Sequence, residues 1–219
     1  MRDKGWYLVN FPKFLATVPI LVASGINRGN ALEIGPGPGY LGLEWLRNTN
    51  GTTLTGLDIC PDMIEIAEHN AAEYEFTDRV SYLLADASDM PFENNQFDCV
   101  FSSASLHEWA NPKLIMNEIA RVLKPGGSYY ITDLRRCMSW AWKLAVWLLA
   151  RPREVRPYFI ASVNESYMLK EVKDILRDTQ LWNSSVSKAL YGLAIKGQKM
   201  YSRQKILSTS PMPLLKPQK

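Results

Sequence analysis

Cysteine is scarce in this sequence, and its spacing excludes two kinds of small scaffold. Only three cysteines occur in 219 residues, and no C-x-x-C pair is among them. A zinc cluster or a disulfide framework needs several cysteines at close or regular spacing. We therefore predict no metal site. Because reduced thiols are typical of the cytosol, we expect a cytoplasmic protein.

Long hydrophobic runs are also missing. The longest apolar run covers residues 138–150 and is interrupted by Ser139 and Lys143. A segment that crosses a bilayer needs roughly 20 apolar residues. The N-terminal residues lack the basic, apolar and small-residue zones of a signal peptide. We predict no transmembrane segment.

No charge of one sign dominates, but the charges are unevenly placed. The net charge is +3, and seven basic residues follow Asp178, the last acidic one. The basic tail predicted at residues 198–219 could touch anionic lipid or nucleic acid, or could simply be solvated. No other basic and aromatic module is present, so nucleic acid is not expected as a substrate.

Strand-like and helix-like segments alternate along the chain, which is typical of βαβ units and a parallel sheet. This pattern predicts a single α/β domain over residues 1–197. Residues 1–28 would form a helical cap, and residues 137–165 an insertion that breaks the alternation. The expected strands are 31–34, 52–57, 80–85, 97–102, 128–133, 184–188 and 190–196. The expected helices are 11–24, 40–48, 61–74, 112–123 and 167–179.

A glycine-rich turn follows the first predicted strand and reads Glu33-Ile-Gly-Pro-Gly-Pro-Gly39. Glycines let the backbone turn sharply and approach a ligand closely. Pro36 and Pro38 have no amide hydrogen, so the turn lacks donors that a phosphate cradle needs. No basic residue lies between Glu33 and Glu44. These features favour a cationic ligand over a pyrophosphate, and the sulfonium of S-adenosylmethionine is such a cation.

Acidic residues also end the second and third predicted strands. Asp58 stands where a carboxylate can accept hydrogen bonds from both ribose hydroxyls of a nucleoside. Asp86 and Ala87 stand where a carboxylate and an amide can meet the edge of an adenine. Each acid alone could simply cap the next helix or turn. Together with Glu33 and the glycine turn, they predict a cofactor site at the carboxyl edge of the sheet.

The sequence resembles the class I S-adenosylmethionine-dependent methyltransferases, particularly the group of ubiquinone and menaquinone C-methyltransferases. The resemblance rests on ALEIGPGPGYLGLEWL, GLDICPDMIEIAEHNA, LLADASDMPFENNQFDCVFSSASLHEW and RVLKPGGSYYITD. It implies a doubly wound, Rossmann-like sheet of seven strands, in the order 3-2-1-4-5-7-6, with strand 7 antiparallel and helices on both faces. It also implies S-adenosylmethionine as the cofactor and methyl transfer as the activity.

The resemblance assigns further roles at the cofactor site. The glycines would wrap the methionine part of the donor, Asp58 would hold the ribose, and Ile59 would pack on the adenine. Two serines at the end of strand four would lie near the transferred methyl. The cofactor set predicted is Glu33, Gly35, Pro36, Gly37, Gly39, Asp58, Ile59, Met63, Asp86, Ala87, Ser102 and Ser103.

The acceptor side is predicted from aromatic residues that could cover the same edge of the sheet. Trp6, Tyr7 and Phe11 precede the fold, and Trp140 and Trp147 lie in the insertion. They suit a small aromatic or apolar acceptor, although the insertion could instead merely pack on the body. His107, just past strand four, is the predicted general base and acceptor contact. The alternative is a residue that only packs there.

Two other functions remain open. An NAD(P)-dependent oxidoreductase would explain the glycine turn and Asp58, but not the paired prolines or Asp86-Ala87. A regulatory protein could bind S-adenosylmethionine without catalysis. The acceptor atom and the oligomeric state cannot be inferred from the sequence.

Overall fold

The computed structural model describes residues 17–149, 153, 156–189 and 192–200. The predicted first helix is seen over residues 17–23, here called α1. Trp6, Tyr7 and Phe11 lie outside the described residues, as does nearly all of the predicted tail. Within the described part of the chain, no helix is long and apolar enough to cross a membrane.

Seven strands in the described residues form one sheet in the order β3-β2-β1-β4-β5-β7-β6. Strand β7 pairs antiparallel with both β5 and β6, whereas the pairs among β1 to β5 are parallel. The predicted strand order and the reversed seventh strand are confirmed. The strands are β1 (Asn30–Ile34), β2 (Thr53–Asp58), β3 (Val80–Leu84), β4 (Phe97–Ser103), β5 (Leu123–Asp133), β6 (Ser185–Ala189) and β7 (Gly192–Gln198).

Helices cover both faces of the sheet, which confirms the doubly wound architecture. One buried core contains residues of α4 and α7 packed on the sheet, and the other contains residues of α1 and α2. The helices after α1 are α2 (Tyr40–Arg47), α3 (Pro61–Glu73), α4 (Pro112–Val122), α5 (Trp140–Leu149), α6 (Arg156–Glu165) and α7 (Leu169–Arg177).

Local sequence signals explain where two of these helices begin. Pro61 and Pro112 occupy the first turns of α3 and α4, where a missing amide hydrogen costs no helical hydrogen bond. The side chain of Asn111 caps α4 by accepting from the amide of Leu114 at 3.2 Å. The start of α3 places the carboxyl end of β2, at Asp58, beside a helix N-terminus.

The predicted start of the fifth strand is wrong. The sequence Pro125-Gly126-Gly127 predicts a turn that ends the preceding helix, with the strand beginning only at residue 128. In the structure, β5 begins at Leu123. The amide of Gly126 donates to the carbonyl of Lys199, and the amide of Lys199 donates to Gly127. Backbone pairing with the residue that follows β7 therefore continues the strand through the glycines.

Within its described residues, the insertion after β5 contains the helices α5 and α6. Arg136 fixes its base, because the guanidinium donates to the carbonyl of Ser166 at 3.0 Å and pairs with Glu171 at 3.2 Å. Helix α6 contacts the short turn Leu106–Glu108 that follows β4. The insertion therefore stands at the carboxyl edge of the sheet.

Candidate cofactor and active site

The glycine turn between β1 and α2 adopts a backbone that few other residues tolerate. Gly35, Gly37 and Gly39 have φ values of 63°, 53° and 80°, all in the left-handed region. A Cβ on Gly35 would lie 2.6 Å from the Cβ of Ser105, so this glycine permits contact with the chain after β4. A Cβ on Gly37 would meet nothing within 4 Å. The turn therefore leaves open space above its backbone, as a ligand cradle requires.

Asp58 ties this turn to the end of β2. One carboxylate oxygen accepts from the amide of Gly37 at 3.0 Å, and the other accepts from the amide of Cys60 at 3.0 Å. Each oxygen keeps a further lone pair for a ligand hydroxyl. Ile59 is 69% exposed beside Asp58, and Met63 in the first turn of α3 is partly exposed. A hydrogen-bond acceptor and an exposed apolar side chain thus lie side by side at the end of β2.

Asp86 and Ala87 follow β3 on the same edge of the sheet. The amide of Ser88 donates to Asp86 at 2.7 Å, and hydrogen bonds from Ser88 hold the pKa of Asp86 below its ordinary value. Asp86 is therefore ionised at neutral pH, caps its own turn and is exposed to solvent. Ala87 packs at the margin of the core that contains α4. Capping and ligand binding are compatible, because each carboxylate oxygen has more than one lone pair.

Glu33 lies behind the cradle rather than on its surface. Its carboxyl is 2% exposed and lies against Gly42 of α2. Burial and the nearby charge of Asp58 raise the pKa of Glu33 to about 8. Glu33 is therefore mostly uncharged at neutral pH, so the negative charge predicted at the turn is largely absent. The physical reason is the cost of removing a carboxylate from water.

Tyr82 is a neighbour of the turn that sequence reasoning missed. Its ring lies against Gly56 of β2, and its hydroxyl would be 2.4 Å from a Cβ on Gly39. In the described part of the chain, neither this hydroxyl nor Oε2 of Glu33 has a hydrogen-bond partner. Burial raises the pKa of the Tyr82 phenol, with a smaller effect from the charge of Glu33. Pattern alone shows Tyr82 only as one aromatic residue in a strand.

The two serines predicted near the methyl differ in their surroundings. Ser102 is fully buried, and its hydroxyl donates to the carbonyl of Ile34 at 2.8 Å and lies 2.6 Å from Oγ of Ser105. The Ser103 hydroxyl is buried, with no partner among the described residues. Ser102 thus joins β4 to the end of β1, and the hydroxyl of Ser103 is the one that a ligand could engage.

His107 is held by Asp133 at the end of β5. Nδ1 of His107 lies 3.0 Å from both carboxylate oxygens of Asp133, and the His107 amide donates to the same carboxylate at 2.7 Å. Both side chains are buried, at 3% and 1% exposure. Because a carboxylate can only accept, Nδ1 carries the hydrogen and Nε2 is the basic nitrogen of the neutral ring.

The insertion residues predicted to contact an acceptor lie on α5. Trp140 is 77% exposed and Trp147 is 37% exposed. The guanidinium of Arg156 lies 4.3 Å from the centre of the Trp147 ring and joins α6 to α5. Neither tryptophan belongs to the buried core, so the packing alternative does not describe these two side chains.

The residues present fit a nucleoside cofactor. The open side of Gly37 gives room for close approach, Asp58 offers acceptor lone pairs, and Ile59 offers an exposed apolar face. The Ser102–Ser105 turn touches Gly35, so the chain that carries His107 borders the same cradle. The site therefore combines an edge whose groups suit a nucleoside with a buried imidazole.

Residues 32–131 match the methyltransferase domain family. This match, over slightly less than half of the chain, confirms the resemblance to class I S-adenosylmethionine-dependent methyltransferases. A candidate S-adenosyl-L-methionine-dependent methyltransferase of Methanococcus maripaludis has the same fold, with a TM-score of 0.74. It is 22% identical, and the likeness covers 92% of this chain and 93% of that one. The family and the fold imply S-adenosylmethionine as the cofactor.

Curated relatives are similar over about half of this chain. The sterol 4-C-methyltransferase strm-1 of Caenorhabditis elegans is 38% identical over 48% of this chain and 31% of its own length. The demethylmenaquinone methyltransferase of Porphyromonas gingivalis is 31% identical over 51% of this chain and 46% of its own length. The chain thus spans less than half the length of each. The family match at residues 32–131 contains the cofactor edge and ends in β5, before the insertion.

Proposed function

We propose that this protein transfers a methyl group from S-adenosylmethionine to a small apolar acceptor. The observation that carries the proposal is the cradle in which the amide of Gly37 is bound to Asp58 while its open side faces no other atom. The cofactor supplies a methyl group on a positively charged sulfur. Asp58 would accept from the ribose hydroxyls, while Ile59 and Asp86-Ala87 would contact the adenine.

The protein's part in such a displacement is mainly positioning. Holding two reactants in line can lower a barrier by about 7–11 kcal/mol. The glycine turn would fix the donor, and the segment from Ser102 to His107 would limit where the acceptor can lie. The hydroxyl of Ser103 is available to orient either of them.

His107 is proposed as the general base for an acceptor that must lose a proton. Asp133 is then a positioning residue, because its carboxylate holds Nδ1 and so directs Nε2. The proton would move from the acceptor to Nε2 as the bond to the methyl forms. A buried imidazole oriented in this way is a common arrangement for proton transfer.

The acceptor class is inferred from the relatives and the insertion. The two curated relatives are named for a sterol and for demethylmenaquinone, which are apolar. Trp140 and Trp147, with Trp6, Tyr7 and Phe11, are proposed to contact such a molecule. A cytoplasmic location and a small-molecule rather than nucleic-acid partner complete the proposal.

Isothermal calorimetry with S-adenosylmethionine and with NAD tests the cofactor. We expect S-adenosylmethionine to bind and NAD not to bind, and the reverse result would overturn the proposal in favour of an oxidoreductase. A screen of sterols, quinones and fatty acids for release of S-adenosylhomocysteine then tests catalysis. Tight donor binding with no release from any apolar acceptor would support the non-catalytic alternative.

A further inference from the structure

The insertion exposes an apolar stripe that extends beyond the two tryptophans proposed to contact an acceptor. On α5, Trp140, Leu144, Trp147 and Leu148 are 77%, 45%, 37% and 52% exposed. Residues at positions i, i+4, i+7 and i+8 lie on one side of a helix. These four side chains therefore form a continuous strip, here called the α5 stripe, that faces solvent.

Helix α6 widens this apolar surface. Tyr158 is 75% exposed and Ile160 is 37% exposed. Arg156 joins the two helices, because its guanidinium covers the ring of Trp147 and donates to the carbonyl of Leu148 at 3.3 Å. Exposed apolar patches of this kind mark surfaces that bind a partner or a membrane.

The charge of the insertion sequence favours a membrane over a protein partner. Between Asp133 and Glu154 the sequence contains no acidic residue, while it contains five basic ones: Arg135, Arg136, Lys143, Arg151 and Arg153. Lys143 lies at the margin of the stripe, where its long side chain can keep its charge in water while its stem stays apolar. Tryptophans on an apolar strip bordered by basic residues are typical of helices that lie in the interface of an anionic bilayer.

We propose that the α5 stripe docks the protein on the surface of an anionic lipid bilayer. Trp140, Leu144, Trp147 and Leu148 would enter the headgroup region, and Lys143 and the exposed Arg153 would contact lipid phosphates. Because α6 contacts the turn that carries His107, the docked face would adjoin the candidate active site. An apolar acceptor could then reach the site from the membrane. This last consequence rests on the proposed function, but the docking itself does not.

Sedimentation of the full chain with lipid vesicles tests the docking. Vesicles of phosphatidylcholine alone are compared with vesicles that contain phosphatidylglycerol, at low and high salt. We expect stronger partitioning to the anionic vesicles and weaker partitioning at high salt, because surface charges are screened. Equal binding to both vesicle types, or no binding to either, would overturn the proposal.

A double variant locates the contact. Trp140→Ser with Leu144→Ser removes two exposed side chains of the stripe, so we expect at least about a tenfold loss of partitioning with an unchanged melting temperature. Trp182→Ser is the matched control, because Trp182 is 69% exposed outside the insertion and has Lys173 and Arg177 as neighbours. Unchanged partitioning of the double variant would overturn the proposal.

Two further readouts separate docking on lipid from self-association of the chain. Brominated phospholipids should quench the wild-type tryptophan fluorescence more than that of the double variant. Light scattering without lipid tests a second copy of the chain as the occupant of the stripe. The stripe is a dimer interface if three results coincide: the wild type self-associates, the double variant is monomeric, and neither protein binds vesicles. Calorimetry with S-adenosylmethionine should give the same affinity for the wild type and the double variant, so failure of docking is distinguishable from failure of the proposed function.

Discussion

Asp58 connects the cofactor edge to the glycine turn through the amide of Gly37. We predict that Asp58→Asn weakens S-adenosylmethionine binding by about 10- to 150-fold, because a hydrogen bond to a charged group contributes about 1.5–3 kcal/mol. Asp62→Asn, in the exposed first turn of α3, should leave the affinity unchanged. Calorimetry on both variants measures the effect, and equal affinities would remove Asp58 from the cofactor site.

His107 and Asp133 form a buried pair. Its contribution to the rate can be measured separately from its contribution to stability. Once an acceptor with a hydroxyl or an acidic carbon is known, we predict that His107→Gln lowers kcat by about 10²–10⁴-fold. Asp133→Asn should cause a smaller loss, since it removes the orientation of the ring but keeps the base. His69→Gln, on an exposed face of α3, is the control.

The pH–rate profile distinguishes a base from a packing residue at this position. If His107 accepts the proton, His107→Gln should remove the fall in rate toward acid pH that the wild type shows. Thermal melts of both variants report on folding. A variant with unchanged kcat, KM and pH profile would show that the imidazole only packs against Asp133.

The residues of the site could be predicted from sequence only where a motif fixes the backbone. The glycines, Asp58 and Asp86 follow strand ends, and strand ends share one edge of a parallel sheet. The neighbours of these residues in space could not be predicted. Tyr82 approaches Gly39 across β2, and Ser102 differs from Ser103 because only Ser102 points at the Ile34 carbonyl. Such contacts depend on strand register, which single-sequence patterns do not give.

Helix α2 packs on the sheet through a position without a side chain. A Cβ on Gly42 would lie 2.3 Å from Oε2 of Glu33 and 2.3 Å from Cδ2 of Leu54. Gly42→Ala should destabilise the fold by about 1–3 kcal/mol, which is typical of an overpacked core, although alanine is the better helix former. Urea unfolding measures the change.

A double-mutant cycle shows whether the clash with Leu54 causes the destabilisation by Gly42→Ala. In a Leu54→Ala background the added methyl group of Gly42→Ala gains space, so its cost should be smaller than in the wild type. If the costs in the two backgrounds are equal, the effect comes from helix propensity or from the unfolded state. A stabilised Gly42→Ala single variant would contradict the close packing of α2.

Among the helices and strands, those with a regular spacing of apolar residues and a residue that marks the start or end were predicted well. Helix α3 starts at Pro61 as predicted and ends one residue before its predicted end. The insertion could not be resolved into α5 and α6, because its nearly continuous apolar sequence has no clear polar face. The early start of β5 depends on pairing of Leu123 with Phe97 and of the two glycines with Lys199, and no local signal reports partners so far along the chain.

The stability of the whole molecule should depend on the protonation of Glu33. Its pKa is raised from 4.5 to about 8 in the folded protein. Folding therefore takes up a proton between these two pH values, so the stabilising effect is complete below pH 4.5 and is lost as pH rises to 8. Over this range the group should lower the free energy of unfolding by about 1.4 kcal/mol per pH unit.

Replacing the ionisable group with a neutral one of the same shape tests this account. Glu33→Gln should remove that slope, so its free energy of unfolding should change less than that of the wild type between pH 5 and pH 8. Glu65→Gln on the exposed face of α3 should behave as the wild type. Urea unfolding at four pH values provides the comparison. Parallel pH profiles for Glu33→Gln and the wild type would show that the Glu33 carboxyl titrates alike in the folded and unfolded chains, and that it is ionised beneath the glycine turn at neutral pH.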